Sequence, residues 1–457
     1  MLRNMIKLLT MGLACLLPAA AAWADGAVYA MTNALDNNEV LVYHRAADGS
    51  LSLAQVTATG GGGSGLQLAG VDSLGSAGSI QLDPDHDLLF VVNTESAAEN
   101  NGAGAYNTDC QQGTITAFRV AADGTLTFAD RVFSGGLFPN SLTVKKIGKG
   151  NNDKKGELLY VLNAGGPEAP AICHLTPATA NGPNITGFSV DERGHMTPVD
   201  STQPIDPGPA TGSGENCSAA SAAGFSALTG APAADFQCGL NPPSFARSPA
   251  QIAFSPDGTQ LVVTIKGTNT IDVFPVDKSG SAGSPTVTQA SLPALPTYFG
   301  VDFAGNGDLL AVEMFGGATS IPAGGVGAVS SFAVDTAGDL TAISAHIGDG
   351  GTAPAAVAVE PIVGRLAYVS NNLSASISSY TVGSNGVLTL LNGTAAAASG
   401  PNDLATAAEG NSSFLYVVSA GTGRVDAFRI NGDGSLTAIT GGGGLPAGRS
   451  AQGLAAF

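Results

Sequence analysis

Seven times along this chain an aromatic residue is followed, six positions later, by a glycine in a short polar turn. The pairs are Tyr43/Gly49, Phe118/Gly124, Phe188/Gly194, Phe274/Gly280, Phe332/Gly338, Tyr380/Gly386 and Phe428/Gly434. Around each pair apolar and polar residues alternate, turn at the glycine and alternate again, as in LVYHRAADGSLSL and DAFRINGDGSLTA. Period-two alternation broken by a glycine turn is an antiparallel hairpin. Successive aromatics lie 75, 70, 86, 58, 48 and 48 residues apart. A unit near 48 residues with insertions explains the series, and strand-only repeats of that size predict a β-propeller. The expected fold is all-β, a seven-bladed β-propeller of four-stranded antiparallel blades.

The blade pattern is fullest in the fourth unit. There Gln251–Ser255 reads as the innermost strand, Pro256-Asp257-Gly258 as a turn, Gln260–Thr264 as the second strand and Thr270–Val276 as the third, with the outer strand after Gly280. In the third unit the first strand is read at Ser141. The chain enters at Ala27–Met31, which matches a second strand, and finishes with Gln452–Phe457, which matches a first strand. The C-terminal strand is therefore expected to complete the N-terminal blade and close the ring, removing an open sheet edge. Residues 25–457 form one domain on this reading, because blades bury themselves on one another.

Residues 1–24 stand apart. Arg3 and Lys7 precede an apolar stretch, and Ala22-Trp23-Ala24 fits a small-x-small cleavage site, the pattern of a secretory signal peptide. Cys15 sits within the apolar run, in a poor context for lipid attachment. Export to the periplasm or the exterior is expected, with cleavage near Ala24. Loss of Arg3 and Lys7 would take the formal charge from −18 to −20. Such acidity argues against nucleic acid, whose phosphates need clustered Lys and Arg. The lysines between Lys145 and Lys155 read as a solvated loop. No later segment is long and apolar enough to span a bilayer as a helix, and a monomer is expected.

Strands alternate in direction, so the first-to-second and third-to-fourth turns share one face. Those turns are short, as in PDG, GNG and ADG. Most long insertions, at 94–112, 164–183, 201–247 and 314–327, fall on the opposite face. Long loops on a rigid scaffold are where sites grow, so the inserted face is expected to be the working one. Cys110 and Cys173 lie in equivalent loops of adjacent blades, and Cys217 and Cys238 lie within one excursion. Disulfides 110–173 and 217–238 are expected in an exported chain.

Residues ending second strands on that face (Asn33, Asn93, Asn163, Lys266, Glu313, Asn371 and Ser419) and those preceding first strands (Asn140, Arg247, Gln251, Asn402 and Asp403) are expected near the channel mouth. Asparagine at strand ends is commonly turn chemistry. Arg247, Lys266, Asn163 and Gln251 are the expected ligand-binding residues, with a polar or anionic small molecule as partner. Among the histidines only His174 and His346 reach the inserted face. The sequence has no HxH or HxxE spacing, no CxxC, no GK[ST] and no GxSxG. Asp83, Asp85 and Asp87 occupy an ordinary turn rather than a calcium loop. No metal and no cofactor are expected.

The phrase from Phe254 to Phe274, FSPDGTQLVVTIKGTNTIDVF, resembles the lactonase family of seven-bladed propellers, which includes 6-phosphogluconolactonases and fungal muconate-lactonizing cyclases. The resemblance extends over Ala27–Phe457. It implies a hydrolase, or a lactonizing isomerase, acting on a small lactone. The family's reactive positions have changed. A histidine pair is replaced by Ser248 and Ala250, and an Asp-Leu-Gly-x-Asp-Arg phrase by Ile265–Thr270, which keeps only the glycine. An Arg-His pair is replaced by Phe299-Gly300. Glu313 stands near the family's glutamate and is the expected acid/base, with His174 as auxiliary and Arg247 or Lys266 as anchors. The alternative is a non-catalytic propeller that binds a glycan, a small molecule or a protein.

Overall fold

The computed structural model describes residues 26–34, 37–65, 72, 74–94, 113–147, 156–165, 182–206, 248–289, 297–314, 327–448 and 451–457. Among them lie seven four-stranded sheets, every strand pair antiparallel, and no helix. Blade 1 is completed by Leu454–Ala456, which pairs with Gly26–Met31 through Val28↔Ala456 and Ala30↔Leu454. The ring closes where the terminal patterns predict. First strands are longer or earlier than the alternation suggests, Pro249–Phe254 in blade 4 and Pro139–Ile147 in blade 3. The outer strand of blade 4 begins only at Thr286, four residues beyond an isolated bridge between Val276 and Ala282.

The recurring aromatic–glycine unit has a packing cause. All seven signature glycines have φ between +78° and +89°, a region costly for other L-residues. Four of their carbonyls also accept a tyrosine hydroxyl from the preceding blade: Tyr29 to Gly124 (2.8 Å), Tyr160 to Gly280 (2.7 Å), Tyr368 to Gly434 (3.2 Å) and Tyr416 to Gly49 (3.0 Å). The paired aromatics, Tyr43 through Phe428, are buried. In five blades the third-to-fourth ladder shifts register at or beside that aromatic, so a bulge turns the ring into the interface. The apolar core of the described residues falls into seven clusters; six bridge two neighbouring blades, and the other joins blades 1 and 2 to residues of blades 3 to 6 around the channel. A blade is thus stable only against its neighbours.

Gly49 tests this arrangement. A Cβ there would stand 2.3 Å from Cδ1 of Phe414 on the adjoining blade, whereas Gly307, at φ +89°, has nothing within 4 Å of that position. Gly307→Ala should cost only the backbone penalty of about 1 kcal/mol. Gly49→Ala adds overpacking and should cost about 2–3 kcal/mol in total. Equal losses in denaturant melts would show that the turn, not the interface, sets the requirement.

Candidate functional site

Residues that end second strands prove to be buried pegs. Asn93 donates to Thr114 and Thr116 and accepts from Thr59 and Asn38. Asn163 donates to Asn184 (2.9 Å) and to the Ser134 carbonyl, and Asn371 donates to Ser378. Ser419 donates to Asp426, and Asn33 exchanges bonds with Ser64. In each case a side chain at the strand end ties its blade to the third strand or to the link entering the next blade. Those links carry glycines because the peg fills the space. A Cβ on Gly61, Gly136 or Gly351 would fall 2.3–2.7 Å from Asn93, Asn163 or Asn371. Asn163, expected at a ligand, is fully buried in this role.

Blade 5 departs from the series. Its second strand, Leu309–Met314, puts Glu313 in the peg position, one methylene longer than asparagine. Glu313 accepts from Ser330 of the third strand, as a peg does, and then reaches the fourth strand, Leu340–Gly348. There its Oε2 lies 2.6 Å from Nδ1 of His346, whose backbone amide also donates to Ser330 Oγ at 2.9 Å. Glu313 is fully buried, while the His346 side chain is 19% exposed. Burial pushes the Glu313 carboxyl upward, and the bonds from Ser330 and His346 oppose that rise. His346 adopts φ +56°, a strained backbone for a non-glycine residue. With Nδ1–H donated to the carboxylate, Nε2 carries the lone pair and can accept a proton. The partner expected for Glu313, His174, lies outside the described residues, as do Arg247, Cys110, Cys173, Cys217 and Cys238. Sequence reading placed His346 on the inserted face but did not join it to Glu313. The two are 33 positions apart, and only the strand register aligns them.

Lys266 follows the second strand of blade 4, Gln260–Ile265, and turns inward. Its ammonium donates to the carbonyl of Gly75, 191 positions away, and lies 4.8 Å from the centre of the Phe299 ring. Burial lowers it to about 7, against the pull of Asp72, and raises Asp72 to about 6. Gly75 belongs to the link that leads into blade 2, and that link crosses the ring. Leu74 is buried in one cluster with Ala250, Phe299, Ala355 and Ala455, which stand on or beside the first strands of four other blades. Ser76 donates to Asn140 at 2.7 Å, the Ala77 amide to Ala250, and Gln452 to the Ser76 carbonyl. The link plugs the channel at the end where second strands finish. Lys266 latches that plug.

Below the plug the channel stays open. A cavity of about 320 Å3 runs from Ala77 and Gly78 to the turn Asp83–His86, where Pro84 and His86 are exposed. Gln251 stands on its wall and exchanges amide bonds with Val301 of blade 5, accepting at 2.8 Å and donating at 3.1 Å. The described residues thus separate the four sequence-expected positions. Asn163 and Glu313 end strands in different blades, Lys266 holds the plug, and Gln251 joins two first strands. No group of three or more His, Cys, Asp or Glu among the described residues could hold a metal ion.

Comparison with known proteins agrees with this architecture. Residues 316–443 match the family model for the lactonase seven-bladed β-propeller. No curated protein matches the chain in sequence. Among solved structures, a Bacteroides fragilis protein assigned as a 6-phosphogluconolactonase superposes with a TM-score of 0.59 at 15% identity, covering 96% of this chain and 99% of its own. The periplasmic gluconolactonase of Pseudomonas aeruginosa gives 0.57 at 15% identity, covering 92% and 97%. At such identity these likenesses speak to the fold, and the family signature lies in the last three blades. Over residues 316–443, within a closed seven-bladed ring, the chain is thus similar to the lactonase family of seven-bladed β-propellers.

Proposed function

We propose that the protein is an exported lactonase-type hydrolase that opens a small, non-phosphorylated lactone on the inserted side of blade 5. His346 is the general base and Glu313 its positioning residue. The observation that carries this reading is the 2.6 Å contact between His346 and Glu313, in a position where five other blades carry asparagine or serine. Family kinship supplies the reaction class, and the signal-like pattern of residues 1–24 supports export. In the step proposed, Nε2 of His346 takes a proton from water as the water oxygen attacks the lactone carbonyl. The acyl C–O bond of the ring then breaks, and the departing ring oxygen takes that proton back from the imidazolium, leaving a hydroxy acid. Glu313, ionised, holds Nδ1–H and offsets the charge on the ring as it becomes cationic. Arg247 is the proposed anchor for the carbonyl oxygen.

The test is a panel of neutral sugar, aliphatic and muconic lactones assayed with purified chain lacking residues 1–24. His346→Gln should lower kcat about 100-fold or more, within the usual range for loss of a general base. Glu313→Gln should lower kcat less and move the acidic limb of the pH–rate profile, because the ring loses its oriented proton. Wild-type rates in His346→Gln would remove the dyad from the mechanism. Absence of turnover on every lactone would favour the second reading, a binding propeller, for which the specific support is that Glu313 also fills a structural peg position.

A further inference from the structure

We infer that Tyr380, on the third strand of blade 6, is a positioning residue for His346, and that its hydrogen bond across the blade interface keeps the imidazole turned toward Glu313. The kinetic consequence rests on the lactonase reading, in which His346 is the base, but the orientation of the ring is readable without any substrate. Among the described residues His346 is the one non-glycine residue within a strand whose φ is positive, at +56°. The cause is a bulge. Val329 pairs with Ile347 and Ser331 with Ser344, so Ala345 and His346 stand together opposite Ser330. A bulge re-aims a side chain, and a strained backbone persists only where its surroundings hold it.

Two bonds hold the bulge. Within blade 5 the His346 amide donates to Ser330 Oγ at 2.9 Å. From blade 6 the Tyr380 hydroxyl donates at 3.1 Å to the carbonyl of Ile347, the residue directly after the bulge. Tyr380 and Ile347 also pack in one cluster across the interface. Tyr380 is one of the seven signature aromatics, and five blades carry phenylalanine at that place, with no hydroxyl to donate. The other tyrosine, Tyr43 of blade 1, makes the equivalent bond to the Gly443 carbonyl of blade 7 at 3.0 Å. Of the two outer strands so gripped, only that of blade 5 carries a histidine. Burial, then Asp349 and Glu313, push the Tyr380 hydroxyl upward, so it keeps its proton and stays a donor. Without that bond the Ile347 carbonyl is released and the bulge is free to relax. The imidazole then swings off Glu313, and the carboxylate no longer fixes which ring nitrogen carries the proton.

The experiment compares Tyr380→Phe with Tyr43→Phe in the protein lacking residues 1–24. Each removes one equivalent bond between blades and leaves the residue that five other blades carry, so both should fold and melt alike. Imidazole nitrogen NMR shifts at about pH 8, above the ordinary histidine range, report the tautomer, and loss of a signal in His346→Gln assigns it. The unaltered chain and Tyr43→Phe should show His346 with its proton on Nδ1 and a bare Nε2. Tyr380→Phe should show a mixture of the two tautomers. On any lactone that the unaltered chain turns over, its kcat should fall about 10-fold with KM little changed, as displacement of a catalytic group does. An unchanged His346 ring in Tyr380→Phe would overturn the inference. So would an equal change in Tyr43→Phe, which would mark a general loosening of the blades. If the unaltered chain turns over no lactone, the lactonase reading alone is lost, and the tautomer comparison still decides the role of Tyr380.

Discussion

A chain ending at Ala451 should lose cooperative folding, its melting temperature falling by roughly 15 °C or more, or the protein aggregating on expression. The last six residues complete blade 1, and their removal uncovers the edge of Gly26–Met31 to other chains. The deletion also strips partners from groups that cannot reach water. Arg45, 1% exposed, donates Nε–H to the Phe457 carbonyl at 2.8 Å and forms an ion pair with Glu409 at 3.0 Å. Without Phe457 the buried Nε–H loses its acceptor, which costs about 1–3 kcal/mol. Gln452 is lost too, and with it the bonds that hold Ser76 and Leu74 of the plug. Circular dichroism melts and size-exclusion chromatography of both forms provide the check. A truncated chain that remains monomeric and melts within a few degrees of the parent would mean that the other blade interfaces carry the ring unaided.

Stability should also fall as the pH rises from 5 to 8, opposite to the behaviour of proteins held by ionised carboxylate pairs. Burial raises Asp403 to about 7, and Asp302, Asp272 and Asp349 each to about 6. Glu157 is raised to about 9 by burial and by Asp83. In the unfolded chain these groups titrate near pH 4. Between pH 4 and 7 the native state therefore holds more protons than the unfolded one, and stability has a negative slope with pH. The contribution is complete below the unfolded value and is lost as pH climbs through 6 and 7. The turn aspartates Asp48, Asp123, Asp277 and Asp433 are shifted the other way by their hydrogen bonds, and they act only below the ordinary carboxyl range. Lys266, lowered to about 7, loses its native proton early. Its effect falls mainly between pH 7 and 10.5, where it adds stability as pH rises. From pH 5 to 7 the carboxyl groups dominate, and a melting temperature higher at pH 5 than at pH 8 by roughly 5 °C is expected. A melting temperature that rises steadily from pH 5 to 8 would show that these carboxyls are ionised and solvated in the native state.

The blades and the closure were legible because both are written locally. Alternation with period two marks a strand within six residues, and a glycine at positive φ marks its turn. The terminal fragments Ala27–Met31 and Gln452–Phe457 each matched one strand of the repeated unit. Strand limits were harder to read. Pro139 and Pro249 open first strands that the alternation alone begins later, since each strand starts with a register shift before its regular pairing. Proline is tolerated at such a first residue.

The candidate site was less legible. Sequence placed Asn33, Asn93, Asn163, Lys266, Glu313, Asn371 and Ser419 together at one end of the ring, and that grouping by strand position holds. Their burial does not show in the text, because it depends on the links between blades folding back over them. The glycines at 61, 136 and 351 were the one local trace, visible as gaps that asparagines fill. His346 meets Glu313 only through the register of three strands, and Gly75 meets Lys266 only across the whole ring.

Sequence by itself determined the number of blades, the strand order and the way the ring shuts, since hairpin pattern and turn chemistry act over a few neighbouring residues. Only the tertiary structure decided which polar residues are pegs, which one meets a histidine on the outer strand, and which end of the channel is plugged. Those outcomes come from contacts between residues tens to hundreds of positions apart, whose energy exists only once all the blades stand side by side.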